Sequence, residues 1–255
     1  MSVIQSRQAH AVLDMPSRRL KALKIERLLG LDQGTAPICM LEVGCGSGGI
    51  SHYFGTHPSV RFEVHAVDVT DSRLVFDAYD FRVVPDTELP YPDARFDVVL
   101  SNHVIEHVGD EAAQLRHLRE LRRVLKPGGV GYLAVPNRWM LVEPHYRLAF
   151  LSWLPEAWRS GYLRLFRNAT HYDCRPLEMA ELETMLSKSG FSCKNICVEA
   201  IKATSDIEDS NSMQMRIASC LPDSILKLLN PINPTLIYIL AARQELDFQS
   251  ERGTI

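Results

Sequence analysis

No stretch of this 255-residue chain approaches the roughly 20 consecutive apolar residues that a bilayer-spanning helix needs. The first residues, Met1-Ser-Val-Ile-Gln-Ser-Arg7, lack the apolar core of a signal peptide. Cysteine is sparse: six are scattered along the chain, which argues for reduced thiols and against a disulfide scaffold. Cys193 and Cys197 stand four apart in an expected strand without a zinc-site pattern. An excess of one charge is missing too. Lysine and arginine number 28 against 31 aspartates and glutamates, a net −3, so no general polyanion-binding surface is implied. The longest basic cluster, Arg18-Arg19-Leu20-Lys21, reads as the solvated face of an amphipathic N-terminal helix. Internal repeats are absent. What remains is a globular, cytoplasmic protein long enough to bury a full core.

Glycine is concentrated where it carries meaning. Residues 38–51 form a short apolar run that ends in Glu42 and meets Gly44-Cys-Gly-Ser-Gly-Gly49. Glycine accepts positive φ and lets a ligand lie against the backbone, so a buried strand feeding such a turn is a nucleotide cradle. Gly44, Gly46 and Gly49 fit the dinucleotide spacing G-x-G-x-x-G. A dinucleotide, however, would set its pyrophosphate on the helix start, beside the repelling carboxylate of Glu42. A nucleotide with a sulfonium and an ammonium in place of phosphate suits Glu42 better.

Downstream, Val64–Asp68 reads as a strand ending in an acid about 20 residues past the glycines, the spacing of a ribose-binding carboxylate. Leu89–Asn102 contains an apolar strand at 96–101. A helix at about 110–126, Leu125-Lys-Pro-Gly-Gly129 and a strand at 130–135 follow. A helix is expected over 16–30, stopped by Gly30. Another is expected from about Pro176 to Lys188, closed by Gly190. Phe191–Glu199 and Asn233–Ala242 read as strands. Alternating strands and helices predict an α/β fold with a doubly wound, mostly parallel sheet.

These motifs, in this order, resemble the class I S-adenosylmethionine-dependent methyltransferases, strongly over 38–136 and loosely elsewhere. The resemblance implies a Rossmann-like seven-stranded sheet of order 3-2-1-4-5-7-6, with its last strand antiparallel and helices on both faces. It implies S-adenosyl-L-methionine as cofactor, leaving as S-adenosyl-L-homocysteine. Glu42 would attract the methionyl ammonium. Gly44, Cys45, Gly46 and Ser47 would bring backbone against the methionine portion and ribose. Asp68 would accept both ribose hydroxyls, Val69 would pack on adenine, and Asp86 or Thr87 would lie near its amino group. Asn102 and His103 would line the sulfonium side.

The division expected is an N-terminal helical segment at 1–36 and the methyltransferase domain at 37–255. Two long connections, 137–175 and 201–232, follow strands whose carboxyl ends border the crevice and would form an acceptor lid. The first holds Trp139, Trp153 and Trp158 with Arg138, Arg147, Arg159, Arg164 and Arg167. It reads either as helices capping the sheet or as a surface for an anionic acceptor or lipid, with peripheral membrane contact through 139–167. His145 and His171 are the candidate catalytic contacts to the acceptor, with His107 in support. His103-Val-Ile-Glu-His107 also matches the H-x-x-E-H pattern of zinc peptidases. It follows a strand directly and stops at Gly109, too short for such an enzyme's helix, so no metal is expected. The expected reaction is methyl transfer to a small or lipid-linked or glycan acceptor, on oxygen. N- or C-methylation and a silent cofactor-binding partner are the alternatives. Nucleic acid is not expected as substrate, since no basic stripe or base-flipping motif is present.

Overall fold

The computed structural model describes residues 14–31, 36–143, 146, 148–166, 174–207 and 221–243. Seven strands build the main sheet: β1 (Ile38–Val43), β2 (Phe62–Asp68), β3 (Asp80–Val83), β4 (Phe96–Asn102), β5 (Leu125–Pro136), β8 (Phe191–Asn195) and β9 (Thr235–Ala242). A two-stranded hairpin, β6 (Val142–Glu143) and β7 (Leu148–Ala149), stands apart. The order is β3-β2-β1-β4-β5-β9-β8, parallel except for β9, which runs antiparallel to both neighbours. This is the order that the resemblance implies.

The central strands are apolar on both faces, as a covered parallel sheet requires. Along them, alternate residues enter opposite cores. Met40, Val64, Val98, Leu100 and Tyr132 pack with Ala22, Ile25, Ile50 and Phe54. Leu41, Val67, Val99 and Leu133 pack instead with Leu118, Leu121, Leu182 and Leu186. One helical layer is therefore α1 (Met15–Leu29), α2 (Gly49–Gly55) and α6 (Cys197–Ile207); the other is α3 (Glu111–Val124) and α5 (Met179–Lys188). α4 (Glu156–Phe166) belongs to the insert after β5, and α7 (Asp223–Leu229) precedes β9. α1 carries Pro16 in its first turn and ends on left-handed Gly30, while the Asp110 side chain caps α3 by accepting from the Ala113 N–H. The segment between β2 and β3, residues 69–79, contains no helix.

Two expectations change. The strand expected over Phe191–Glu199 stops at Asn195, whose side chain accepts from the Cys197 N–H as helix α6 begins. Ile196, Cys197, Ala200 and Ala203 are buried at helical spacing, and Ala200 and Ile196 join the core beneath α1. Residues 201–207 consequently belong to the helical layer, not to a lid. α6 is also tied to α1 through Lys24 to Thr204 (3.0 Å) and Arg27 to Asp206 (2.7 Å).

Candidate functional site

The site lies at the carboxyl ends of β1, β2 and β4, where strand order reverses and an open α/β sheet leaves its crevice. Gly44, Gly46 and Gly48 take φ of +75°, +52° and +78°. A Cβ on Gly44 would lie 2.4 Å from Val104 Cγ2, and one on Gly48 would lie 2.1 Å from the Tyr79 hydroxyl. The turn is thus pressed between the segment after β4 and the segment after β2, and only glycine fits at either point. The Gly44 N–H donates to the Val67 carbonyl, bringing the turn against the end of β2.

There Asp68 accepts from the Gly46 N–H (2.8 Å) with one oxygen and from the Val69 N–H (2.7 Å) with the other. Both carboxylate oxygens are aimed before any ligand arrives, and each keeps a lone pair for a hydroxyl. Val69 is more than one third exposed at the same edge. Asp86 accepts from the Glu88 N–H (2.8 Å), a turn-forming bond, and with Thr87 it borders an open cleft that continues to Arg116 and Arg119 on α3. Cys45 is buried, and burial raises its thiol pKa. Among the described residues the buried Ser47 hydroxyl has no hydrogen-bond partner.

Glu42 is 2 % exposed and accepts from the Ser51 hydroxyl. Burial raises its pKa to about 7; Ser51 and the charge of Arg18 work against that rise, and Asp68 adds to it. The basic cluster at 18–21 is expected on a solvated face, but among the described residues the Arg18 Nε is buried with no hydrogen-bond partner, and its side chain lies against Gly49 at the start of α2. Burial lowers its pKa, opposed by Glu42 and Asp14. Helical periodicity marks which face of α1 is apolar, but not that a cation on its rim meets a buried acid from β1.

At the end of β4, the Asn102 Oδ1 is buried and has no hydrogen-bond partner among the described residues. His103 follows in the left-handed region, at φ +59°, its N–H held by the Ala134 carbonyl. Its Nδ1 stands 3.5 Å from Oε1 of Glu106, a residue with no exposed surface. Burial acts to raise the Glu106 pKa, but His103 and His107 outweigh it and hold the carboxyl below its ordinary value. His107 Nε2 lies 3.9 Å from the same oxygen, and its Nδ1 meets Cys174 Sγ at 3.7 Å. Behind them His117 of α3 contacts the Ser101 hydroxyl (3.0 Å), and burial drops its pKa to about 4. Of the His-x-x-Glu-His pattern, only Ile105–His107 form a helical turn, a single 3-10 turn, and His103 stands before it in the left-handed region, so the pattern does not lie on one long helix. The sequence marks Glu106 only through the His-x-x-Glu-His pattern and gives no sign of His117, whose place beside Glu106 depends on the turn after β4 folding over α3.

His145 and His171 lie outside the described residues. Within the insert, Trp139 and Trp153 pack edge to face at 5.5 Å, and Trp153 donates to the Met140 carbonyl. Arg159 is buried and donates to the carbonyls of Ser152 and Leu154, so it serves the insert's own turn. Trp158, Leu165 and Phe166 of α4 are exposed. Among the described residues, one group has metal-ligand composition and proximity: Cys39, Glu63 and His65. Arg95 reaches Glu63 and His65 there at 3.2 and 3.0 Å, supplying a positive charge already. No helix among the described residues is long and apolar enough to cross a membrane.

Residues 41–133 match the family model of the methyltransferase domain. A probable S-adenosylmethionine-dependent methyltransferase of Mycolicibacterium smegmatis is 36 % identical over 113 residues, 39 % of this chain and 38 % of that one. A ubiquinone biosynthesis O-methyltransferase of Paramagnetospirillum magneticum is 31 % identical over 186 residues, 66 % of this chain and 65 % of that one. The chain thus spans about two fifths of the mycobacterial relative's length and just under two thirds of the other's. Among solved structures, the [4+2]-cyclase SpnF superposes with a TM-score of 0.53 at 17 % identity, covering 94 % of this chain and 86 % of that one. S-adenosylmethionine is the cofactor that goes with this domain.

Proposed function

We propose that this class I S-adenosylmethionine-dependent methyltransferase passes a methyl group to an oxygen of a small or lipid-linked acceptor. The observation that carries the reading is the pairing of Asp68, clamped by the N–H groups of Gly46 and Val69, with Glu42 behind the same glycine turn. The first suits two ribose hydroxyls, and the second suits an ammonium. When bound, the cofactor supplies a methyl group already activated on a sulfonium. The protein's task is then to align the acceptor oxygen, exclude water and remove a proton where the acceptor carries one.

Oxygen is favoured by the relative named as an O-methyltransferase. Fold alone would not choose the reaction, since a cyclase shares it. The exposed Trp158, Leu165 and Phe166 support an acceptor with an apolar portion. His145, His171 and His107 are proposed to face or support that acceptor. The test is incubation of the full chain with isotopically methyl-labelled S-adenosylmethionine and a panel of hydroxyl, carboxyl and amine compounds, with and without alkyl chains. Label on oxygen of a hydroxyl or carboxyl compound is expected. Label only on nitrogen or carbon refutes O-transfer, and cofactor binding without transfer to any compound favours a silent partner.

A further inference from the structure

We propose that His103, oriented by Glu106, is the general base of the reaction, and that the acceptor is therefore a hydroxyl compound, an alcohol or phenol, rather than a carboxylic acid. The inference rests on the methyl-transfer reading and narrows it. A carboxyl acceptor, with an ordinary pKa near 4, is ionised at neutral pH and needs no base. A phenol, with a pKa of about 10, holds its proton and gains from one.

Three features point to His103. It directly follows Asn102, the last residue of β4, beside the glycine cradle, where the next side chain, Val104, covers Gly44. It keeps a left-handed backbone at φ +59°, a conformation that a side-chain-bearing residue retains where its surroundings impose it. Its Nδ1 lies 3.5 Å from a carboxylate that has no exposed surface; His107 Nε2 approaches the same oxygen at 3.9 Å, and no nearer partner stands on either oxygen among the described residues. A buried carboxylate in that position selects the tautomer with the proton on Nδ1 and leaves the Nε2 lone pair available. Among the described residues no partner occupies that nitrogen.

The other groups around Glu106 are already engaged. His107, on the same turn, contacts Cys174. His117, from α3, contacts Ser101 and is neutral above about pH 4. Arg175 meets Glu106 through its backbone N–H alone, while its guanidinium lies near Glu111 and Glu181.

The step balances. The acceptor O–H bond breaks and its proton goes to His103 Nε2. The freed oxygen pair forms the new O–CH3 bond, and the S–CH3 pair stays on sulfur as the neutral thioether. The imidazolium then returns its proton to water. Glu106 stabilises the imidazolium without taking the proton, so Glu106 is a positioning residue and His103 a catalytic one.

Two probes separate the outcomes: an alkyl catechol and an alkyl nitrocatechol whose hydroxyl is ionised near neutral pH. His103→Asn is expected to lose roughly a hundredfold or more in kcat on the catechol and little on the nitrocatechol. Glu106→Gln should fall between. Equal losses on both probes, or none on the catechol, overturn the base assignment; transfer to a long-chain carboxylate alone overturns the acceptor class. A second readout needs no acceptor. Nitrogen-15 spectra of labelled histidine in the full chain with S-adenosylhomocysteine should show His103 protonated on Nδ1. Protonation on Nε2 instead overturns the dyad even where no probe is methylated, and a chain that fails to bind the cofactor refutes the methyltransferase reading itself.

Discussion

Glu42→Gln isolates the energetic cost of keeping an acid beneath the glycine turn. In the ligand-free protein the folded state raises this carboxyl from 4.5 to about 7, chiefly through burial. The folded state binds the proton more tightly than the unfolded chain. The stability due to Glu42 is therefore fully present below pH 4.5 and is lost as pH climbs through about 7. At about 1.4 kcal/mol per pKa unit, the whole loss is roughly 3 kcal/mol, of which about 2 falls between pH 5.5 and 8. Glutamine keeps the shape and an oxygen for the Ser51 hydroxyl, but cannot ionise. The unfolding free energy of the variant relative to wild type should rise by about 2 kcal/mol between those pH values, measured by urea denaturation followed by circular dichroism. His117 titrates alike in both proteins and cancels. Cofactor affinity should move the other way. Calorimetry should show the variant binding S-adenosylmethionine roughly 10- to 100-fold more weakly at pH 8, the worth of a charged hydrogen bond. Wild-type affinity should strengthen between pH 6 and 8 and variant affinity should not. A stability gap that stays constant with pH would refute the buried-acid account, and unchanged affinity would refute the ammonium contact.

Asp68→Ala should lower cofactor affinity at least tenfold by calorimetry, because two aimed acceptors disappear; undiminished binding would remove the ribose assignment. Gly44→Ala meets both a φ of +75° and the Val104 methyl, and should cost about 2 kcal/mol or more in urea unfolding. Val104→Ala in the same chain should restore the part due to the clash. His117 has its pKa depressed to about 4, so its contribution is present above its ordinary value of 6.5 and lost as pH falls toward 4. Replacing it with Gln, which can still meet Ser101, should remove about 2–3 kcal/mol of the destabilisation between pH 7 and 4.5, read from the same titration.

The main sheet was legible because its evidence is local. Strands such as 38–43 and 96–102 are continuous apolar runs, and the turns between elements are marked by Gly30, Asp110 and Gly190. The mistaken extension of the strand past Asn195 came from a run in which apolar residues suit either period. Asn195 capping the next helix decided it, along with the room for Ala200 beneath α1. The missed members of the site have a common cause. Arg18 and His117 come from α1 and α3, and no spacing along the chain links a residue to a partner on another element.

Sequence alone determined where the candidate donor site is marked: the glycines at 44–49, the acid before them and the acid about 20 residues on are short-range patterns that need no tertiary contact to be read. Tertiary structure decided how those groups behave. It buried Glu42 until its carboxyl holds a proton near neutrality, and it brought Arg18 of the first helix to the rim of the same turn. It also set His103 against a carboxylate sealed from water. Charge state and mutual aim depend on burial and on contacts between distant elements, and these exist only once the sheet and its two helical layers have closed.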